Sequence, residues 1–214
     1  FPDTIVRVYV SEIIDKNNDG YLCKKEISAV KTFIIDKNNL YWENKEKLKE
    51  DYEIIDCKGL EIFTNVEKVK LTTYCDTYVS EYGNIKNIKV LTKLTKIKNL
   101  EISGVNNSNY DFTKLNNLER LCIKSTKLKK LNLSKNVKLK NLKLAYNPLL
   151  KKINLPDPKI LLRCSKNMPM DLLELAMDCV SSGIGSPLFS NDDVVIPKII
   201  EFGYDKKDAY NYGV

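Results

Sequence analysis

Aliphatic residues recur along the middle of this chain at a nearly fixed step. Pairs of the form L-x-L stand at Leu100/Ile102, Leu121/Ile123, Leu142/Leu144 and Leu162/Cys164, advancing by 21, 21 and then 20 residues. Another aliphatic precedes the first three pairs by three residues, at Ile97, Leu118 and Leu139, whereas Lys159 breaks the pattern in the fourth. Asn147 and Asn167 stand three residues after the second aliphatic of their pairs. A second series, Leu128/Leu131/Leu133/Asn136 and Leu150/Ile153/Leu155, runs 10–11 residues out of phase. Looser copies appear at Val30/Phe33/Ile35 and Val66/Val69/Leu71.

This spacing has a physical reading. In an extended L-x-L segment alternate side chains face opposite ways, so both aliphatics enter a core and the residue between them faces solvent. One coil of about 21 residues cannot bury its aliphatic edge alone, and stacked coils make a continuous core with a ladder of parallel strands. The asparagine amide can satisfy backbone groups at the bend after each strand, which burial would otherwise orphan. The out-of-phase series predicts a second extended stretch on the far side of each coil. The expected fold is therefore α/β: a leucine-rich-repeat solenoid with a parallel β ladder. A helical EF-hand-like cap is expected over residues 1–29, and a mixed cap over 168–214. The solenoid itself is predicted over 30–167, with irregular insertions near 36–53 and 74–92.

One sharp chemical motif lies near the amino terminus. Residues 15–26, Asp-Lys-Asn-Asn-Asp-Gly-Tyr-Leu-Cys-Lys-Lys-Glu, satisfy D-x-[DN]-x-[DN]-G-x5-E at every constrained position. In a calcium loop of this type Asp15, Asn17 and Asp19 offer side-chain oxygens, Gly20 permits the bend and Tyr21 contributes its carbonyl. Glu26 closes the site with both carboxylate oxygens. Cys23, at the ninth position, is a poor calcium ligand, so a water is expected there. Calcium is the expected ion, held structurally, and an unpaired loop should bind it with a Kd on the order of 10⁻⁴–10⁻³ M. The alternative is a degenerate loop kept for its shape. Flanking helices are predicted from Asp3 to Ile14 and from Lys24 to Val30, with Leu22 turned inward between them.

Charge is distributed unevenly. Residues 84–166 carry 20 Lys or Arg against four acids, a net of +16, while the remainder carries a net of −9. Histidine is absent, which excludes imidazole acid–base catalysis, Ser-His and Cys-His pairs and histidine zinc sites. The six cysteines form no C-x-x-C pair, and buried free thiols are the expectation. No apolar run reaches the roughly 18–20 residues of a membrane-spanning helix. The ladder's register nominates Lys68, Lys70, Glu101, Arg120, Lys124, Lys143 and Arg163 as the solvent-facing, positively biased binding face. That face has few aromatics, so a polar or anionic partner is favoured over a hydrophobic peptide. Nucleic acid is disfavoured, because no base-stacking platform or groove-reading helix is legible.

The opening Phe1-Pro2-Asp3, the acidic loop, Gly59-Leu60-Glu61-Ile62-Phe63-Thr64-Asn65 and the unit Leu131-Asn132-Leu133-Ser134-Lys135-Asn136 together resemble bacterial surface leucine-rich-repeat proteins. The similarity is to the internalin type, whose EF-hand-like helical cap closes the first repeat. It covers most of residues 1–167. It implies secretion or cell-surface location and a non-catalytic binding or adhesion role; the positively biased face directs that role toward a surface glycan, wall polymer or protein, and a monomer is expected. The competing expectation is a scaffold segment of a larger secreted protein whose activity lies elsewhere. A hydrolase is the least favoured reading, since no motif nominates its residues.

Overall fold

The computed structural model describes residues 1–36, 54–73, 84–105, 109–145, 147, 149–156, 161–165 and 193–194. In chain order its strands are β1 (Thr32–Asp36), β2 (Ile54–Asp56), β3 (Lys68–Thr72), β4 (Asn84–Lys86), β5 (Asn99–Val105) and β6 (Asn109–Asp111). They continue with β7 (Arg120–Thr126), β8 (Lys130–Asn132), β9 (Asn141–Ala145), β10 (Lys152–Asn154), β11 (Leu161–Ser165) and β12 (Asp193–Val194). One sheet runs β1-β3-β5-β7-β9-β11-β12, parallel except for the last pair. The out-of-phase series forms a second parallel sheet, β10-β8-β6, and β2 pairs with β4 in a third. Parallel β sheets with few helices, built coil upon coil, make this a leucine-rich-repeat-like solenoid.

Register follows the aliphatic period. Phe33, Val69, Leu100, Leu121 and Leu142 align across neighbouring strands, as do Ile35, Leu71, Ile102, Ile123 and Leu144. All ten are buried, so each lap leans its apolar edge on the next. Ile97, Leu118 and Leu139 are buried beneath the strand entries.

Asparagines close the bends. Buried Asn147 donates from Nδ2 to the Ile123 carbonyl at 3.0 Å, and its Oδ1 accepts from the Thr126 N–H at 3.1 Å and hydroxyl at 2.6 Å. Asn136 serves the other series through its amide alone, donating to the Phe112 and Leu115 carbonyls, both at 2.9 Å, while its buried Oδ1 has no partner. The short back strands end on a third device. The terminal Asp56, Asp111 and Asn132 each accept from the N–H two residues on, a side-chain turn that redirects the chain without a glycine.

Charges order the strand entries. Lys31, Glu67, Lys98, Glu119 and Lys140 stand on successive coils, and each N–H donates to the preceding carbonyl at 2.8 Å. Lys98 Nζ reaches Glu67 at 2.8 Å and Lys140 reaches Glu119 at 3.0 Å. Sign alternates along the whole column.

The amino-terminal segment packs on the first coil. Asp3 caps helix α1 (Thr4–Tyr9) by accepting the Val6 N–H at 2.8 Å, and its other oxygen accepts the Asp56 N–H at 3.0 Å. Helical geometry continues to Ile14, as the cap at Asp3 predicts, but the last turn, Val10–Ile14, is π-helical. Helix α2 spans Lys24–Ala29. Tyr9 packs tilted against Phe33 at 4.6 Å, Phe33 tilted against Phe63 at 5.5 Å, and Phe63 stacks on Phe1 at 5.9 Å, a run of rings joining helix to solenoid. The Tyr9 hydroxyl accepts the Ile34 N–H at 3.1 Å. Gly59 has φ +100°, and a Cβ there would meet the Phe1 ring at 2.7 Å.

Two expectations need correction or restriction. Cys57 is a buried free thiol, but Cys23 is exposed and Cys122 half-buried, because loop and sheet-face positions carry them to the surface. Residues 37–53 and 74–83, and most of the expected carboxy-terminal cap, lie outside the described residues, whereas 84–92 contribute β4 and part of a 3-10 segment, Ile88–Lys93.

Candidate functional site

The acidic loop is closed by its own hydrogen bonds. Asp15 Oδ2 accepts the Gly20 N–H at 2.9 Å, and Asp19 Oδ1 accepts the Tyr21 N–H at 2.8 Å. Asn17 Nδ2 donates to Asp19 Oδ2 at 2.7 Å. Positive φ at Asn18 and Gly20 turns the backbone sharply between them. Glu26 spans the loop: Oε1 accepts the Lys16 N–H and Oε2 the Cys23 N–H, both at 2.9 Å. Cys23 Sγ in turn accepts the Glu26 N–H at 3.5 Å, so the pair forms a capping box on α2. The Cys23 N–H, foremost, holds the Glu26 carboxyl below its ordinary range. Thiol capping was not legible in the sequence, where Cys23 reads only as a poor metal ligand.

Among the described residues no three His, Cys, Asp or Glu side chains converge as a metal cluster. The hydrogen bonds explain why: Glu26 is held by backbone donors and Asp19 by Asn17 and Tyr21. One atom is left over. Asp15 is 6% exposed, and its Oδ1 is buried without a hydrogen-bond partner. An orphaned carboxylate oxygen is costly unless a cation or donor meets it. The oxygen-rich donor set and this orphan fit a hard cation; Asp15, Asn17, Asp19, the Tyr21 carbonyl and Glu26 would hold it, with calcium competing against two N–H groups for Glu26.

The strand face brings the other nominated residues into rows. Lys68, Asn99, Arg120 and Asn141 align across the sheet, and Lys70, Glu101, Cys122, Lys143 and Arg163 align two residues further on. A hollow of about 510 Å³ lies over these two rows from β3 to β9. Lys124 stands one row beyond, aligned with Ser103. Part of the positive charge is neutralised locally, because Lys70 meets Asp36 at 3.4 Å and Lys124 meets Glu101 at 3.1 Å. These pairs were hidden in the sequence, since only register brings Asp36 to Lys70 across 34 residues. Asn99, Asn141 and Cys122 also line the hollow, and their signal was the same register.

Residues 144–214 match the family described as PFL-like, pyruvate formate lyase-like. The probable dehydratase YbiW of Escherichia coli strain K12 is 36% identical over 55 residues, which are 26% of this chain and 7% of that protein. The chain thus spans a small fraction of the curated relative it matches. Among solved structures, an internalin from Listeria monocytogenes aligns at 14% identity and a TM-score of 0.45, over 83% of this chain and 54% of that one. The matched stretch begins at residue 144, inside the span predicted as solenoid, and repeat spacing alone does not reveal it. Among the described residues no helix is long and apolar enough to cross a membrane.

Proposed function

We propose that the chain is a non-catalytic, extracellular binding module that presents its parallel sheet to a polar or anionic partner: a surface glycan, wall polymer or protein. The observation that carries this reading is the alignment of Lys68, Asn99, Arg120 and Asn141 beside Lys70, Glu101, Cys122 and Lys143 over one hollow. Amide, guanidinium and ammonium donors stacked at the strand spacing of about 4.8 Å offer an anionic chain repeated contacts. The helical amino terminus, with calcium held structurally in the loop 15–26, closes the apolar edge of the first coil. An array of glycans, wall polymers and acidic proteins at two salt concentrations tests the module. Binding that weakens with salt and with Arg120→Glu or Lys143→Glu supports it.

A second reading is favoured by the match over 144–214 and by the small share of the dehydratase that this chain covers. In it the solenoid is a scaffold attached to activity located outside these residues. Under that reading the same charge reversals leave partner binding unchanged.

A further inference from the structure

We infer that the back of the solenoid carries a second binding site, distinct from the strand face: a groove for an anionic sugar. Between the 3-10 segment Ile88–Lys93 and strands β6 and β8 lies a hollow of about 460 Å³, a size that accommodates a small ligand. Three successive coils build it, and each supplies one ammonium to the lining, from Lys89, Lys114 and Lys130.

Several lysines along the coil edges are engaged. Lys98 and Lys140 meet glutamates, Lys96 and Lys138 meet asparagine carbonyls, and Lys93 approaches Glu61. Among the described residues, Lys89, Lys114 and Lys130 form no salt bridge, although Lys114 is close enough to Asp111 to help hold that carboxyl below its ordinary range. Three ammoniums against the single carboxylate of Asp111 leave the hollow net positive and favour an anion between them. Lysine's flexible point charge suits sulfate, phosphate or carboxylate without demanding a fixed fork geometry.

The floor and the remaining polar groups narrow the ligand. Tyr110 and Phe112 stack at 5.9 Å beneath the hollow and are only 8% and 3% exposed, an apolar bed rather than an open patch. Little of either ring is exposed, so the floor offers a ligand's C–H groups an apolar contact and not a stacking face. Asp111 is the one carboxylate of the lining, an odd member for a site that takes only anions. Its Oδ1 is occupied by the Thr113 N–H and hydroxyl at 3.0 and 2.6 Å, which leaves Oδ2 to accept hydrogen bonds. Asn132 uses its Oδ1 on Ser134 and keeps amide protons to donate. An acceptor and a donor beside three ammoniums match a ligand bearing both hydroxyls and an acid group. That combination is an acidic or sulfated sugar, whereas a simple inorganic anion would leave the Asp111 oxygen unused.

The test is calorimetric titration of the full chain at constant ionic strength with three probes: a heparin-derived sulfated disaccharide, its desulfated counterpart and inorganic sulfate. The sulfated disaccharide should bind about tenfold or more tightly than either of the others. Lys89→Gln/Lys114→Gln/Lys130→Gln should reduce its affinity by about tenfold or more, while Lys24→Gln, exposed in the amino-terminal segment and in neither site, changes it less than about twofold. Circular dichroism verifies that the exposed substitutions leave the fold intact. The site is overturned if the disaccharide does not bind, if sulfate binds equally well, if the triple variant binds like the parent, or if Lys24→Gln weakens binding as much. Because the three substituted lysines lie on the other side of each coil, the outcome is separable from that for the strand face.

Discussion

Asn147 and Thr126 share one oxygen across neighbouring coils. Asn147 Oδ1 accepts both the backbone N–H and the hydroxyl of Thr126, while its amide donates to the Ile123 carbonyl. All of these atoms are removed from water. Asn147→Ala would orphan a donor and an acceptor of the backbone together, at a cost of about 2–4 kcal/mol. Urea denaturation reads this directly, and Asn154→Ala, at an exposed strand position, serves as the comparison. A loss no larger at Asn147 than at Asn154 would contradict the bend-closing role.

Glu26 closes the acidic loop without metal, through the Lys16 and Cys23 N–H groups. Thermal melts in chelator should therefore already show Glu26→Ala below the parent. Millimolar calcium should raise the parent's midpoint by stabilising the folded form, and Glu26→Gln should abolish the rise. An unchanged parent midpoint across calcium concentrations returns the loop to a shape-only role.

Acid should weaken the strand-entry ladder. The hydrogen bond from Lys98 holds the Glu67 carboxyl below its ordinary value of 4.5, and Lys140 acts likewise on Glu119. A depressed folded-state pKa contributes stability that is complete above the unfolded value and disappears as pH falls through the folded one. Lys98, raised above 10.5 by Glu67, contributes below that value and loses its share as pH rises through the folded value. Asp3 runs the other way: burial raises its carboxyl, so protonation offsets part of the acid loss. Urea titrations from about pH 3 to pH 8 should show a shallower acid slope in Lys98→Met/Lys140→Met than in the parent. Equal slopes would remove the ladder from the acid response.

Gly59→Ala meets two obstacles, a left-handed φ of +100° and the Phe1 ring 2.7 Å from the new Cβ. The expected cost is about 1–3 kcal/mol. Phe1→Ala removes the clash but also the stack on Phe63. In a double-mutant cycle the two changes should therefore cost less together than their sum. Strict additivity would mean that the ring moves aside freely.

The ladder was legible because its signal repeats. Leucine and isoleucine positions carried enough register to align Lys70 with Glu101, Cys122 and Lys143 before any coordinate was known. Even the loose copy at Phe33 and Ile35 takes its place beside Val69 and Leu71. What could not be read were contacts created by stacking itself. Asp36 neutralises Lys70, and Phe1 reaches Gly59, only once distant segments are laid side by side. In the acidic loop the motif named the oxygens but not their engagement. Cys23 is an unusual residue for capping a helix, and its partnership with Glu26 makes a structural clasp of the carboxylate that the motif offers to a cation. The groove over Tyr110 and Phe112 was invisible for the same reason as the ion pairs, since its three lysines come from three coils.

The alternation of sign through Lys31, Glu67, Lys98, Glu119 and Lys140 gives the solenoid a parity. Excising any one interior lap, or duplicating one in tandem, would set two like charges face to face at the splice. Removing or adding two neighbouring laps together restores the plus–minus order. Growth and shrinkage of such a molecule by recombination should thus be tolerated in even steps and resisted in odd ones.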